Sequence, residues 1–274
     1  MPRFLLRIEY AGTRYRGWQI QTNARTVQGE IARAAEDVLR SGNFELYGSG
    51  RTDAGVHALE QVAHLDTAVK IAPAALADGL NALLPADINI LSAEVVDRRF
   101  HARHSATARS YVYQIARRRT AFAKPYVWWV RDPLDVARMR DVAAIFTGLH
   151  DFRAFSDDDP EEKSTKVMVE SLTVEEEGDL LLVRIAGSHF IWKMVRRIVG
   201  IMVEAGKGSL DRRRIETMLH SDSELPAQLT APASGLFLEK VTYPELRSGA
   251  RAPQAQATTI GMKASFHSAR FTRR

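Results

Sequence analysis

Alternation of apolar and polar residues marks the first strands of this chain. Residues 3–9 and 61–66 alternate with the period of two that is typical of a half-buried strand. Apolar stretches predict further strands at residues 45–47, 88–96, 167–174, 180–186 and 236–241, with one more around Tyr111 and Tyr113. The turn sequence Glu177-Gly178-Asp179 separates two of these strands, which are therefore expected to pair.

A period near 3.6 residues predicts helices in the intervening segments. Thr26 is a suitable N-cap for the first helix, and Pro73 lies in the first turn of the second. The predicted helices are residues 27–39, 73–83, 134–146 and 188–205. Arg196 and Arg197 lie on the two borders of the apolar stripe of the last helix, so spacing does not choose between them as functional residues.

Strands with helices between them predict an α+β fold of two similar-sized lobes, and no internal repeat is visible. The boundary is placed near residue 104, which gives an N-terminal lobe of residues 1–104 and a C-terminal lobe of residues 105–246. Residues 247–274 carry six basic residues, no acidic residue and little apolar periodicity. They are predicted to form a basic, disordered tail.

The composition excludes several kinds of chemistry. Hydrophobic residues make up 45% and charged residues 26% of the chain, as in folded globular proteins. Cysteine is absent, which excludes disulfides, thiolate nucleophiles and iron–sulfur clusters, so a metal would need histidine and carboxylate ligands. No stretch approaches the roughly 18 apolar residues of a membrane span, and the protein is expected to be soluble and cytoplasmic.

Basic residues are segregated from acidic ones. Residues 98–119 contain seven arginines and no carboxylate, whereas acidic residues cluster at 157–162 and 175–179. A strongly positive stretch suits a polyanion such as nucleic acid. A solvated surface is the commoner explanation when a charge run is considered alone.

The densest group of candidate functional residues is the loop at residues 48–57, which follows a predicted strand. Three glycines in eight positions allow a sharply bent backbone that can present Asp53 at a cleft, with the permanent charge of Arg51 nearby. Such an arginine keeps a carboxylate ionised and oriented, as a nucleophile or base requires. A turn in which Asp53 only binds backbone amides is an equally good explanation on physical grounds. The loop matches neither the dinucleotide fingerprint nor a phosphate-binding loop.

Five segments closely resemble, in the same order, the tRNA pseudouridine synthase A (TruA) family, and they cover nearly all of residues 3–245. The hallmark of that family, Gly-Arg-Thr-Asp-Ala-Gly-Val-His, is found at residues 50–57. The other segments are residues 9–19, 100–111, 194–200 and 235–238. Chance similarity does not explain five matches in the right order.

The resemblance implies catalytic roles for three residues and substrate-binding roles for four. The catalytic residues would be Asp53, Tyr111 and Arg196, and the substrate-binding residues Arg51, Arg103, Arg109 and Leu238. Asp53 would supply the carboxylate with Arg196 as its partner, while Tyr111 would stack on uracil and help to remove the C5 proton. Arg51 would hold the extruded nucleotide and Leu238 would line the uracil pocket. The other two arginines would contact RNA phosphates.

The same resemblance implies a pseudouridine synthase fold, in which each lobe has a mostly antiparallel sheet with helices on one face and the active-site cleft lies between the lobes. The reaction moves the uracil linkage from N1–C1′ to C5–C1′, and it needs no cofactor or metal. The targets would be uridines 38, 39 and 40 of the tRNA anticodon stem-loop, bound by a homodimer. Family mechanisms differ on whether the aspartate attacks the nucleoside or removes the C2′ proton to form a glycal, and the glycal route is favoured here.

Two other functions stay open from the sequence. The first is an RNA-binding protein that uses the same basic cleft without chemistry. The second is a metal-dependent hydrolase with Asp53, His57 and His64 as ligands, although their spacing matches no recognised metal site.

Overall fold

The computed structural model describes residues 1–158 and 164–244, which form ten strands and six helices. The strands are β1 (Arg3–Tyr10), β2 (Phe44–Gly48), β3 (His57–Thr67), β4 (Ile88–Val96), β5 (Ala108–Ala116), β6 (Trp128–Trp129), β7 (Gly148–Asp151), β8 (Lys166–Glu177), β9 (Leu180–Gly187) and β10 (Leu236–Thr242). The helices are α1 (Val27–Leu39), α2 (Pro73–Leu83), α3 (Val136–Ala143), α4 (Met194–Lys207), α5 (Arg212–Leu219) and α6 (Leu225–Gln228). None of these helices is long and apolar enough to span a membrane.

The strands form one continuous sheet in the order β4-β1-β3-β10-β5-β9-β8-β7, with β2 added beside β3 and β6 beside β5. Strand β10 runs parallel to β3 and antiparallel to β5, and most other neighbours are antiparallel. The mixed α+β fold with mostly antiparallel strands is therefore confirmed. The sheets of the two halves of the chain are joined through β10, because this last strand hydrogen-bonds to an edge of each half.

Two large hydrophobic cores lie along this sheet. One contains α1, α2 and residues of β1 and β3, and the other contains α3, α4, α5 and residues of β8 and β9. Leu238 and Val241 of β10 pack into the first core although they come from the end of the chain. The lobe boundary at residue 104 stays a prediction, and the tail predicted for residues 247–274 lies outside the described residues.

Most predicted elements form close to their expected positions. Thr26 caps α1, since its hydroxyl accepts a hydrogen bond from the Gly29 amide. Helix α2 and strand β4 have the predicted bounds. The helix predicted over residues 134–146 is shorter, because its last turn, Ala144–Phe146, is a 3₁₀ helix.

The prediction of a helix over residues 188–205 is wrong at its start, because α4 begins only at Met194. Lys193 has a left-handed backbone with φ of 62°, which a continuous helix does not contain. The preceding Trp192 amide donates to the Asp158 carboxylate at 2.9 Å. Residues 188–193 therefore form a loop, which lies against the candidate site described below.

Two buried histidines on β3 tie the first half of the chain together. Nδ1 of His57 accepts a hydrogen bond from the Gly12 amide at 3.0 Å, and Nδ1 of His64 accepts one from the Ala102 amide at 3.1 Å. Burial lowers the pKa of each imidazole to about 4. Both rings are therefore neutral at pH 7 and act as acceptors.

We expect acid to weaken the fold between about pH 6.5 and pH 4. In this range the unfolded chain binds protons at His57 and His64 while the folded protein does not, so the free energy of unfolding falls by up to roughly 3 kcal/mol for each histidine. Chemical denaturation at pH 7.5, 5.5 and 4.5 measures this loss. His64→Asn, which keeps an acceptor, should lose less stability on acidification than the wild type, and equal losses would contradict the assignment.

Candidate active site

The candidate site begins where two strands share one edge of β3. Strand β2 pairs with the C-terminal part of β3, from Ala63 to Thr67, and β10 pairs with its first two residues, His57 and Ala58. Residues 59–62 of β3 therefore form a gap between β2 and β10. The chain leaves β2 at Gly48 and forms the glycine-containing loop at this gap. The sheet topology thus places Asp53 where the two halves of the molecule meet.

Side chains of β3 fix the first part of the loop. The Ser49 hydroxyl donates to Oε1 of Gln61 at 2.6 Å, and Nε2 of Gln61 donates to the Gly50 carbonyl at 3.2 Å. Both side chains are buried. After Asp53, the Val56 amide donates to the Asp53 carbonyl at 3.1 Å and closes a turn that contains Gly55 at φ of 80°. The loop is therefore held on both sides of the carboxylate.

The segment at residues 12–18 supports the other side of the loop. The Trp18 amide donates to the Thr52 carbonyl at 3.1 Å, and the Tyr10 hydroxyl lies 2.8 Å from the Thr52 hydroxyl. Gly17 has φ of 96°, and a Cβ at this position would lie 2.6 Å from the Thr52 carbonyl oxygen. Only glycine fits this conformation and close approach. This contact joins two of the segments that carry the resemblance found in the sequence, residues 9–19 and 50–57.

Trp192, in the loop before α4, and Arg196, in the first turn of α4, hold the Asp53 carboxylate. Arg196 Nη1 lies 3.3 Å from Oδ2 of Asp53, and Trp192 Nε1 donates to Oδ1 at 3.1 Å. Arg196 is itself oriented, because its Nε donates to the Ala231 carbonyl at 2.7 Å. The Asp53 side chain is 27% exposed and that of Arg196 is 16% exposed. The carboxylate is therefore fixed and still accessible to a ligand.

Tyr111 lies half-buried on β5, and its ring is nearly perpendicular to that of Phe190, with the centroids 5.3 Å apart. Burial raises the pKa of Tyr111 to about 12, and the negative charge of Asp53 acts in the same direction. Tyr111 is thus within electrostatic range of Asp53 and stays protonated at neutral pH. Leu238, which is buried, lies opposite Tyr111 in the β10–β5 register.

The three other predicted site arginines have different environments. Arg109 donates to the backbone carbonyls of Ser49, Arg103 and Ser188, so its guanidinium links the loop to neighbouring segments. Arg51 is exposed and makes no hydrogen bond or ion pair with the described residues. Arg51 and Arg103 line the same cavity. Their predicted roles in RNA binding stay predictions.

Cationic cavities lie on both sides of the Asp53 loop. One, of about 340 Å³, lies on the Arg51 side. The other, of about 600 Å³, lies beside Ala54 and Gly55 and is lined by Arg14, Arg16 and Arg25. A polyanion that crosses the loop would therefore meet arginines before and after Asp53.

The ligand set of the metal-dependent hydrolase does not come together. Nδ1 of His57 and Nδ1 of His64 are occupied by backbone amides, and Nε2 of His57 lies 3.1 Å from the Pro125 carbonyl. Asp53 instead contacts Arg196 and Trp192. Within residues 1–158 and 164–244, no group of three or more His, Asp or Glu side chains is arranged to hold a metal ion.

Trp192 is a site residue that the sequence reasoning missed. The sequence predicts a helix over this segment, and Trp192 lies outside the apolar stripe of that helix, so the pattern gives it no functional role. The acidic residues Asp157 and Asp158 are the one sequence signal for the loop that carries Trp192. Asp158 accepts a hydrogen bond from the Trp192 amide, and Asp157 pairs with Lys193 and Arg197. These carboxylates anchor the loop before α4, so part of the acidic run is structural rather than only solvated.

Trp192→Phe keeps an aromatic ring at this position but removes the charge-assisted hydrogen bond to Asp53. We expect kcat to fall about tenfold because this hydrogen bond is lost. Trp192→His, which keeps a ring N–H, should recover part of the loss. Trp129→Phe, at an exposed tryptophan of β6, serves as the control and should leave kcat unchanged. Equal kcat values for wild type and Trp192→Phe would show that the hydrogen bond has no part in turnover.

Comparisons with known proteins identify the family of this chain. A family described as tRNA pseudouridine synthase matches residues 7–105 and 142–244. The tRNA pseudouridine synthase A of Aquifex aeolicus is 37% identical over 243 residues, which is 88% of this chain and 99% of that protein. The protein of the same name from Rhodopseudomonas palustris is 41% identical over 247 residues, which is 89% of this chain and 100% of that protein.

A solved structure described as a Cbf5-Nop10-Gar1 complex aligns with a TM-score of 0.37 and 12% identity, covering 74% of this chain and 45% of that one. This alignment is too weak to add to the family match. The family match and the sequence identity to these relatives define the chain as a pseudouridine synthase, an enzyme of the isomerase class. Within that class it belongs to the tRNA pseudouridine synthase A family, which confirms the resemblance found in the sequence.

Proposed function

We propose that this enzyme converts uridine to pseudouridine at positions 38, 39 and 40 of the tRNA anticodon stem-loop, with Asp53 as the catalytic carboxylate. The observation that carries the proposal is the Asp53 carboxylate itself, which Arg196 and Trp192 hold in place while it stays accessible. The arginine-lined cavities on both sides of its loop suit the phosphates of an RNA strand.

The target uridine must leave the RNA stack to reach Asp53. Arg51 is placed to hold the extruded nucleotide, because its side chain is exposed two positions before Asp53 and has no protein partner among the described residues. Tyr111 offers a ring for uracil, and the apolar Leu238 lies beside it on the neighbouring strand. Arg103 would contact a phosphate, whereas Arg109 supports the loop through its three carbonyl contacts.

The favoured reaction proceeds through a glycal. Asp53 removes the proton from C2′, the C1′–C2′ double bond forms, and the N1–C1′ bond breaks with its electrons passing to uracil. The uracil anion rotates within the site, and C5 attacks C1′ while Asp53 returns the proton to C2′. Loss of the C5 proton and protonation of N1 then give pseudouridine. Pseudouridine contains the same atoms as uridine at the same oxidation level, so the reaction consumes no cofactor.

The environment of Tyr111 limits its part in the last step. Because its pKa is raised to about 12, the phenol is protonated at neutral pH and is a poor base. Transfer of the C5 proton through water is therefore favoured over direct transfer to the Tyr111 oxygen. The ring then serves mainly to stack on the base while it is detached.

The homodimer, the cytoplasmic location and the anticodon stem-loop specificity stay predictions. Mapping pseudouridine in total tRNA from cells with and without the gene tests the proposed function. We expect the modification at positions 38, 39 and 40 to disappear without the gene and to return when the gene is restored. Unchanged modification at these positions would refute the assignment.

A further inference from the structure

The cavity on the Arg51 side of the Asp53 loop has no part in the chemistry proposed for Asp53. Its volume of about 340 Å³ lies at the lower end of the range for small-molecule sites. Its lining includes Trp18, Tyr47, Arg51, His101, Arg103 and His104. No acidic side chain of the described residues lines it, so it favours an anionic ligand.

Tyr47 gives this cavity a rigid aromatic surface. Its side chain is 48% exposed, and its ring stacks on His64 with centroids 5.2 Å apart and planes 22° apart. His64 is buried and held by the Ala102 amide, so the stack is fixed before any ligand binds. An exposed aromatic ring of this kind binds nucleobases by stacking, with little dependence on their sequence.

Polar groups that can bind a ligand line the cavity together with the Tyr47 ring. Arg51 makes no hydrogen bond or ion pair with the described residues, and Arg103 is exposed. Trp18 is buried beside the cavity, and its indole N–H has no acceptor in the described part of the chain. The site thus combines a stacking surface, two guanidinium groups for a phosphate and an N–H donor for a base.

We propose that this cavity binds a second nucleotide of the RNA substrate, next to the reacting uridine, with its base on Tyr47 and the phosphate that links it to the extruded uridine at Arg51 and Arg103. Arg51 and Asp53 are two residues apart, at most about 7 Å along the backbone, a separation that adjacent nucleotides of an unstacked strand can span. The inference rests on the proposed function, because it assumes an RNA substrate. It adds a subsite that fixes the strand while the target base is detached.

The test uses the full chain and an anticodon stem-loop transcript. Tyr47→Ala should raise KM about tenfold with a smaller change in kcat, and Tyr47→Phe, which keeps the ring, should restore KM to near the wild-type value. Trp129→Ala, at an exposed aromatic residue on another edge strand, is the matched control. In a parallel measurement, 2-aminopurine is placed singly at each position beside the target uridine. Its fluorescence should change on binding at one position only, and Tyr47→Ala should abolish that change.

The outcomes separate this inference from the proposed function. If wild type forms pseudouridine and Tyr47→Ala has an unchanged KM, the subsite is wrong while the function stands. The same holds if Trp129→Ala raises KM equally, or if the fluorescence change does not depend on Tyr47. If Tyr47→Ala does not fold, Arg103→Gln replaces it and should raise KM and reduce the same fluorescence change. Absence of pseudouridine with the wild type would instead refute the proposed function.

Discussion

Replacement of Asp53 by Asn is expected to lower kcat at least about 10³-fold, because the amide cannot accept the C2′ proton and, among the described residues, no other carboxylate contacts the Arg196 guanidinium or the Trp192 indole N–H. The substitution keeps the size and planar shape of the side chain. The fold should therefore remain, with the melting temperature within a few degrees of wild type. Single-turnover assays with a saturating stem-loop transcript measure the rate.

Asp222→Asn provides the matched control for this substitution. Asp222 is an exposed carboxylate on the surface, where its closest cation is Arg153 at 3.9 Å, so its loss should leave the rate unchanged. RNA affinity of Asp53→Asn should be close to that of wild type. If Asp53→Asn forms pseudouridine at the wild-type rate, the Asp53 carboxylate is not catalytic and the assignment of this residue is wrong.

Arg196→Met should lower kcat about 10²-fold, because the guanidinium that orients Asp53 is lost. Arg196→Lys should recover little, since one ammonium group cannot contact both the Ala231 carbonyl and the Asp53 carboxylate as the planar fork does. The measurement is kcat and KM on the same transcript, with the expected loss mainly in kcat.

The neighbouring Arg197 gives a control with the opposite pattern. Its side chain is buried and paired with Asp157, so Arg197→Met leaves that carboxylate with Lys193 as its remaining partner and should lower the free energy of unfolding by about 1 to 2 kcal/mol. Its effect should appear in stability rather than in the chemical step. If Arg196→Met and Arg197→Met change kcat and stability in the same proportion, Arg196 has only a structural role.

The amino-acid sequence predicted most strands and helices because their signals are local. The cap at Thr26, the proline at the start of α2 and the apolar run of β4 each depend on a few neighbouring residues. The joining of the two halves through β10 could not be predicted in this way. It depends on hydrogen bonds between Leu238 and strands that lie far away in the chain.

The candidate site also contains some residues that the sequence predicted and one that it could not predict. The glycine-flanked loop identified Asp53, and the family pattern selected Arg196 where helical spacing left Arg197 equally possible. The contact with Trp192 could not be predicted, because it depends on the left-handed backbone at Lys193 and on the anchoring of the loop by Asp158. Both features arise from tertiary contacts that override a helical pattern.

The proposed function requires that this protein, without any other component, isomerises uridine in the anticodon stem-loop. The direct test incubates purified protein with an unmodified tRNA transcript, without added cofactor, and maps pseudouridine by carbodiimide labelling and primer extension. We expect new stops that report pseudouridine at positions 38, 39 or 40 wherever the transcript has uridine there, and none with Asp53→Asn. Absence of these stops with folded wild-type protein, or stops confined to other positions, would contradict the account.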